Sequence, residues 1–142
     1  MGLIQPKDRE LLQKHFAEKL TNPVTLVMGT QEHECQFCKE TREMVEELAG
    51  LSDKIQAEVY DFVADKTKLD AYGIDKIPAI AVVGKKDYGV RFYGIPSGYE
   101  FSSLVESISR VSRGESGLSE ATKKALAGLD QDMHIQVFVT PT

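Results

Sequence analysis

Two cysteines are the residues of this chain whose type and spacing most clearly point to chemistry. Cys35 and Cys38 lie three positions apart in "EHECQFCKETREMVEEL", and the chain has no other cysteine. A helix is predicted from about Cys35 to Ala49, so Cys35 would lie at a helix N-terminus that follows a strand-to-helix loop. Unpaired amides and the helix dipole favour negative charge there. The sequence therefore predicts a stabilised thiolate at Cys35.

Cys38 is predicted to be the less exposed of the two thiols. It lies nearly one helical turn after Cys35 and shares an apolar helix face with Val45 and Leu48. This spacing allows a disulfide to close with little backbone movement. An exposed attacking thiol and a shielded resolving thiol are what thiol–disulfide exchange needs, through attack, a mixed disulfide and release by the second thiolate. No metal or organic cofactor is required for that reaction.

A metal site is the alternative use of a Cys-x-x-Cys pair, because zinc ribbons have the same spacing. His33 is close to the pair, whereas His15 and His134 are distant in sequence and a second cysteine pair is absent. A zinc or iron–sulfur module would therefore need ligands from a second subunit. The strand-loop-helix context favours redox chemistry over that alternative.

The elements that must position the cysteines follow an α/β order. Hydrophobic periodicity predicts helices at 5–20, 35–49, 66–73 and 98–114, and strands at 24–28, 55–62, 77–84 and 88–94. The "GKKD" turn between the last two strands is short, so these strands are predicted to be antiparallel. The fold class is therefore α/β with an antiparallel edge to its sheet.

A proline stands before the most apolar strand. "AYGIDKIPAIAVV" places Ile77-Pro78 ahead of a continuous apolar run, whose length suits a strand buried on both faces. Proline cannot donate to a sheet ladder, so its position here is unusual. Since X-Pro bonds in folded proteins are rarely cis, this segment alone favours a trans proline at the first residue of a strand.

The Cys-x-x-Cys at a helix start, the "YGIDKIPAI" run and the element order together resemble the thioredoxin/glutaredoxin superfamily, over about residues 4–113. The resemblance implies a thioredoxin fold with a mixed four-stranded sheet flanked by helices. It implies that Cys35 is the nucleophile, that Cys38 resolves the mixed disulfide, and that Pro78 is cis and packs beside the disulfide. It also implies that Ile77 offers its backbone to an extended substrate segment, as a short β-augmentation.

Inside the motif, Gln36 and Phe37 are predicted to contact the substrate and to tune the reduction potential. The residues just before the motif differ from those of relatives. Glutathione-using glutaredoxins have a basic residue there, whereas this chain has Glu32 and Glu34 on either side of His33. The carboxylates would repel glutathione and oppose a thiolate, and a protonated His33 would favour one. Glutathione use is therefore doubtful, and His33 and Glu34 are predicted to tune the reactive thiol. A solvated loop histidine without that role is the alternative for His33, and the sequence alone favours it.

A second departure concerns the proton of the resolving thiol. Thioredoxins have a buried Asp six residues before the first cysteine, and this chain has Gly29 at that position. Water or a nearby acid would then have to accept the proton of Cys38.

The stretches "NPVTLVMGTQEHECQFC", "FYGIPSGYEF" and "DMHIQVFVTPT" carry a closer resemblance. It is to the N-terminal unit of the protein disulfide oxidoreductases of thermophilic archaea and bacteria, which are tandem glutaredoxin-like proteins. It implies that residues 4–114 are one redox unit. Residues 115–142 would be a linker, a helix and the first strand of a truncated second unit, and 118–139 repeats the helix-strand order of 6–28. That strand is expected to pair an exposed edge in this unit or in another copy, which would give a dimer.

The composition of the chain limits the kinds of partner that we expect. The net charge is −5 with acidic and basic residues mixed, which argues against nucleic acid or an anionic membrane as the main partner. No run approaches the ~18 apolar residues of a membrane span, and no signal peptide is visible, so a cytoplasmic location is predicted. The expected partners are protein disulfides or dithiols and a reductase as electron donor. The direction of exchange stays open, and a non-catalytic docking unit of a tandem redox protein is the remaining alternative.

Overall fold

A mixed four-stranded sheet forms the centre of the molecule, in a computed structural model that describes residues 2–140. Its strands are β1 Val24–Thr30, β2 Ile55–Asp61, β3 Ala79–Val83 and β4 Arg91–Tyr93, in the spatial order β2-β1-β3-β4. β1 pairs parallel with β2 and antiparallel with β3, and β3 pairs antiparallel with β4. The predicted mixed sheet is confirmed, although its fourth strand is shorter than the sequence indicated.

Helices cover both faces of this sheet. Within residues 2–140, α1 Pro6–Lys19, α2 Cys38–Ala49 and α4 Tyr99–Arg113 pack on one face and α3 Lys66–Ala71 packs on the other. A further helix, α5 Glu120–Ala127, has no buried residue and covers neither face. Pro6 stands in the first turn of α1, where its missing N–H costs no hydrogen bond. Gly114 ends α4 in the left-handed conformation, with φ of 68°.

The alternation of side chains along β1 divides the core between the two faces. Leu26 and Met28 belong to the larger cluster, under α1, α2 and α4, and Val27 belongs to the smaller cluster with Leu69 of α3. Because both faces are covered, β1 and β3 consist almost entirely of buried residues. The prediction that the run after Pro78 is a strand buried on both faces is confirmed.

The start of α2 differs from the prediction. The helix begins at Cys38 rather than at Cys35, and Gln36 and Phe37 form a turn before it. Glu34 has a positive φ of 55°, a conformation incompatible with a right-handed helix, so no helix can extend back through this residue. Phe37, the N-cap residue, has φ of −119° and ψ of 13°, which differ from the angles of an α-helix, so Cys35 precedes the helix instead of lying in its first turn.

The predicted strand at 133–139 is absent from the described residues. This segment has no sheet hydrogen bonds, and every described residue after Ser112 is exposed. A strand needs a partner for its backbone groups, and none of the described strands pairs with it. Met1 lies outside the described residues. Residues 141–142, which end the segment assigned above to a second unit, also lie outside them. Among residues 2–140, no helix is long and apolar enough to cross a membrane.

Candidate active site

The two cysteines form a disulfide in the turn between β1 and α2. Cys35 and Cys38 are joined with their Cα atoms 5.5 Å apart. Cys38 is 1% exposed, whereas Cys35 is partly exposed. The predicted difference in exposure between the two sulfurs is therefore confirmed, and Cys35 is the one that a second molecule can reach.

Hydrogen bonds at the start of α2 fix the shape of this turn. The hydroxyl of Thr41 donates to the carbonyl oxygen of Phe37 at 2.6 Å, and the Thr41 N–H donates to the same oxygen at 3.0 Å. Thr41 is fully buried. On the other side, the amide of Gln31 donates to the carbonyl of His33 at 2.7 Å. Both ends of the cysteine turn are thus tied to the chain around it.

Sequence reasoning missed two features of this turn. Thr41 is not singled out by the sequence, although a Thr four residues after a turn carbonyl is a known backbone partner. The left-handed backbone of Glu34, with φ of 55°, carries no sequence signal because glutamate rarely adopts it.

Pro78 lies at the same edge of the sheet as the disulfide turn. Gly29 of β1 pairs with Ala79 of β3, so the end of β1 that leads to Cys35 adjoins the start of β3. The Ile77-Pro78 peptide is cis, as the superfamily resemblance implies and as the segment alone did not. The Gly94 N–H donates to the Pro78 carbonyl at 2.9 Å, which connects this proline to the loop after β4.

The other predicted site residues lie around the turn at different depths. Gln36, His33 and Glu34 are exposed, Phe37 is 43% exposed, and Ile77 is partly buried while Pro78 is buried. Phe37 and Ile77 give the surface near the disulfide an apolar character. The roles assigned to these residues in binding and tuning stay predictions.

A polar cleft of about 490 Å³ lies on the β2 side of the turn, lined by Glu32, His33, Arg42, Asp61 and Asp65 among others. Backbone N–H groups of Ala64 and Val63 donate to Asp61 and lower its pKa. Acidic groups thus dominate this side of the site, in line with the doubt about glutathione.

Lys76 supplies a positive charge on the proline side of the site. Its ammonium group lies 2.9 Å from Asp75 and 5.4 Å from the centre of the Tyr93 ring. The hydrogen bond to Asp75 raises the pKa of Lys76. Neither Lys76 nor Tyr93 was singled out from the sequence, because only the fold brings β4 beside the residues before Pro78.

A metal site at Cys35 and Cys38, the alternative considered above, would need further ligands. Within residues 2–140, no group of three or more His, Cys, Asp or Glu side chains is arranged to hold a metal ion. Both sulfurs are engaged in the disulfide.

This fold, with a partly exposed and a buried cysteine joined in a Cys-x-x-Cys turn beside a cis-proline, defines the class of thioredoxin-fold thiol–disulfide oxidoreductases. The thioredoxin domain family matches residues 25–106, more than half of the chain. The chain belongs to the thioredoxin domain family.

Two curated relatives align with this chain, and the name of the first agrees with the family assignment. A probable thioredoxin of Methanothermobacter thermautotrophicus is 39% identical over 72 residues, which are 50% of this chain and 80% of that protein. An NADH dehydrogenase of Bacillus subtilis is 24% identical over 127 residues, which are 89% of this chain but only 22% of that protein.

Two solved structures also match most of the chain. A protein disulfide oxidoreductase from Aeropyrum pernix k1 has a TM-score of 0.79 and 30% identity, covering 88% of this chain and 55% of that one. The NTD_N/C domain of the alkylhydroperoxide reductase AhpF from Enterococcus faecalis has a TM-score of 0.75 and 29% identity, covering 90% and 62%. This chain thus spans little more than half the length of these two structures.

Proposed function

We propose that this chain exchanges thiols for disulfides in protein substrates through Cys35 and Cys38. The observation that carries the proposal is the disulfide itself, with one partly exposed and one buried sulfur at the sheet edge that holds cis-Pro78. The 30% identity to a protein disulfide oxidoreductase supports it.

Each step of the exchange balances within the cysteine pair and the substrate. In the reducing direction, the Cys35 thiolate attacks a substrate disulfide, and the substrate's second sulfur leaves as a thiolate. The thiolate of Cys38 then attacks Cys35 in the mixed disulfide and releases the reduced substrate. The chain is left with the Cys35–Cys38 disulfide, and a dithiol or reductase must reduce it before the next cycle. The oxidising direction runs the same steps in reverse.

The substrate is proposed to lie along Ile77 and Pro78. Ile77 is partly buried and precedes β3 directly, so its backbone groups can pair with an extended segment that brings a disulfide to Cys35. Phe37 and Gln36 would contact the same segment. Backbone pairing places few demands on sequence, which suits a protein that acts on disulfides in different proteins. Glutathione is a doubtful partner because of Glu32 and Glu34.

We also propose the kind of electron donor and the larger protein to which this unit belongs. Similarity to part of an alkylhydroperoxide reductase supports a role beside a reductase. The segment 115–142 is proposed to belong to a second thioredoxin-like unit, since both solved relatives match nearly 90% of this chain and are themselves longer. A cytoplasmic location fits both proposals.

Insulin reduction driven by dithiothreitol tests the activity. The wild-type protein is expected to accelerate precipitation of the insulin B chain. Cys35→Ser is expected to return the rate to background because the remaining thiol, Cys38, is only 1% exposed. In a separate reaction without dithiothreitol, prereduced Cys38→Ser is expected to keep a mixed disulfide between Cys35 and insulin, visible by mass spectrometry, because no second thiol releases it. Leu126→Ser serves as a control, since Leu126 is 47% exposed on α5 and lies outside the cysteine turn and the polar cleft beside it.

Two outcomes would overturn the proposal. A Cys35→Ser protein as active as the wild type would remove the cysteine pair from the reaction. Stoichiometric zinc or iron that resists dialysis, with both thiols protected from mild oxidation, would favour the metal-binding alternative instead.

A further inference from the structure

An apolar groove of about 650 Å³ runs along the side of the molecule between the N-terminal arm, α1, α2 and the start of α4. Its apolar lining includes Leu3, Leu11, Met44, Ile95 and Phe101. Leu11 is 59% exposed and Leu3 is 42% exposed. Two large aliphatic side chains are therefore exposed on the same concave surface. Single exposed leucines are common on proteins, whereas a contiguous exposed apolar surface marks a binding site more often.

One wall of this groove is held in place by a buried acid. Glu47 of α2 accepts hydrogen bonds from the backbone N–H groups of Leu3 and Ile4, the latter at 3.2 Å, and from Arg9 at 2.7 Å. The side chain of Glu47 is only 15% exposed, and Ile4 is buried in the main core. The N-terminal arm is therefore anchored, and the groove is formed before any ligand arrives.

The charged residues that line the groove are all acidic. They are Asp8, Glu40 and Glu106, and no lysine or arginine lines the groove. Glu106 is paired with Arg110 at 2.8 Å, whereas Asp8 and Glu40 form no salt bridge within residues 2–140. An apolar surface with two unpaired carboxylates at its rim is complementary to an apolar side chain that has a lysine or arginine beside it.

The groove adjoins the redox turn at two points. Glu40 lies two residues after Cys38 on α2, roughly 3 Å further along the helix axis. Ile95 follows Gly94, whose N–H donates to the Pro78 carbonyl. The groove is therefore formed by the same helix that carries Cys38 and by the loop that contacts Pro78, so a substrate segment that follows either element away from Cys35 meets it.

We infer that this groove is a docking subsite for the disulfide-bearing substrate, and that it takes an apolar side chain flanked by a basic residue. This inference rests on the proposed function. It names a side-chain feature of the substrate, which the backbone contacts at Ile77 cannot recognise. The exposed C-terminal segment 128–140 is the competing occupant from this chain. It carries Asp130 and Asp132 and no lysine or arginine, so its charge opposes that of the rim.

Peptides with a single cysteine, joined in a disulfide to a chromogenic thiol, test the inference. The cysteine is flanked, on either side in separate peptides, by Leu-Lys, Leu-Glu or Ser-Gly, and release of the chromogenic thiol by prereduced protein is followed in a single turnover. The wild type is expected to react with Leu-Lys peptides about two- to tenfold faster than with Leu-Glu peptides at subsaturating concentration, the range expected for two exposed charge pairs. The preference should weaken with added salt.

Variants separate the charge from the apolar contact. The double variant Asp8→Asn, Glu40→Gln is expected to equalise the Leu-Lys and Leu-Glu peptides, while Leu11→Ser is expected to remove the preference for leucine over Ser-Gly. Asp53→Asn is the matched control, because Asp53 is an exposed acid in the connection between α2 and β2, outside the groove lining. Reaction with the small chromogenic disulfide alone is expected to be the same in the wild type and in Asp53→Asn. In the other two variants it measures the intrinsic reactivity of Cys35, by which the peptide rates are divided, because Glu40 lies in the first turn of α2.

A cysteine-free Leu-Lys peptide, followed by fluorescence anisotropy, separates this inference from the proposed activity. Binding that Leu11→Ser weakens supports the groove even where no disulfide reacts. Equal rates for all peptides together with no binding would overturn it, as would an association of two copies that Leu11→Ser dissolves in sedimentation experiments. A protein that binds the peptide but reduces no disulfide would instead contradict the proposed function alone.

Discussion

At the residue scale, Gly29 distinguishes this chain from thioredoxins, which have an aspartate at the same position. A Cβ atom at Gly29 would lie 3.3 Å from a methyl group of Ile74 and 3.4 Å from the two methyl groups of Leu69. These side chains belong to the smaller core cluster under α3. The space that an acid would need is therefore occupied by hydrocarbon, and the proton acceptor for Cys38 must come from elsewhere.

Replacing Gly29 tests this interpretation. Gly29→Ala is expected to cost about 1–3 kcal/mol of unfolding free energy through overpacking, and Gly29→Asp is expected to cost clearly more at pH 7 because its carboxylate lacks a partner. Burial would raise the pKa of the new carboxyl group, so the extra cost should shrink as the pH falls toward 4. Urea denaturation of both variants at pH 7 and near pH 4 measures this. An aspartate variant as stable as the alanine variant at pH 7 would show that the site can hold an acid.

At the same scale, sequence predicted what depends on spacing and polarity. The disulfide partners and the burial of Cys38 follow from the cysteine spacing and the apolar face shared with Val45 and Leu48. The left-handed backbone of Glu34 could not be predicted, because it arises from closing the turn rather than from any preference of glutamate.

At the scale of elements, Arg91 connects β4 to the end of α3. It forms an ion pair with Asp87 and hydrogen bonds with the carbonyl of Tyr72. Arg91 of β4 donates to Asp87 at 2.9 Å and, through two other nitrogens, to the carbonyl of Tyr72 at 2.8 and 3.1 Å. The hydrogen bond from Arg91 lowers the pKa of Asp87, against a smaller opposing effect of burial. Asp87 thereby orients the guanidinium that holds the end of α3 against the sheet.

Asp87→Asn is expected to lower stability in a pH-dependent way. Because Asp87 binds its proton less readily in the folded chain than in the unfolded one, its stabilisation is present above the ordinary carboxyl pKa of about 4 and is lost as the pH falls through the lowered value. We expect a loss of at most about 1 kcal/mol at pH 7, since the pair is partly exposed.

Chemical denaturation of the wild type and of Asp87→Asn, from neutral pH down to about pH 3, measures this difference. Asp70→Asn is the control, because Asp70 forms an exposed pair with Lys66 within α3 and touches no second element. A difference between wild type and Asp87→Asn that stays constant over the whole pH range would mean that the charge of Asp87 is not the cause.

The order of elements was accessible from sequence, while their ends and contacts were less so. The strand after Pro78 was predicted because a strand buried on both faces has no polar alternation. The start of α2 was placed three residues too early, because the apolar face of a helix does not reveal where the preceding turn closes. The contact between Arg91 and Tyr72 joins residues 19 positions apart and depends on sheet pairing.

At the scale of the whole molecule, the segment after α4 is the part that sequence and structure describe differently. The alternation in "MHIQVFV" predicted a strand, and local preference for extended backbone is real in such a run. A strand, however, is completed only by a neighbour, and the described chain offers this segment none. The side chains of Ile135, Val137, Phe138 and Val139 are 78–90% exposed, which leaves an apolar surface without a partner.

We expect this segment to mediate association between copies when no other partner is present, through the unpaired edge of β2. Sedimentation velocity over a range of concentrations should show self-association of the wild type, and Val137→Lys combined with Phe138→Lys should reduce it by placing charge where strands would pack. The unfolding free energy of this variant should match the wild type, because the segment contributes nothing to the core. Tyr99→Lys is the control, because Tyr99 is 79% exposed and belongs to α4, outside both the C-terminal segment and β2. Equal sedimentation of wild type and double variant would show that the segment has no affinity for a second copy, and that its partner must be a different surface.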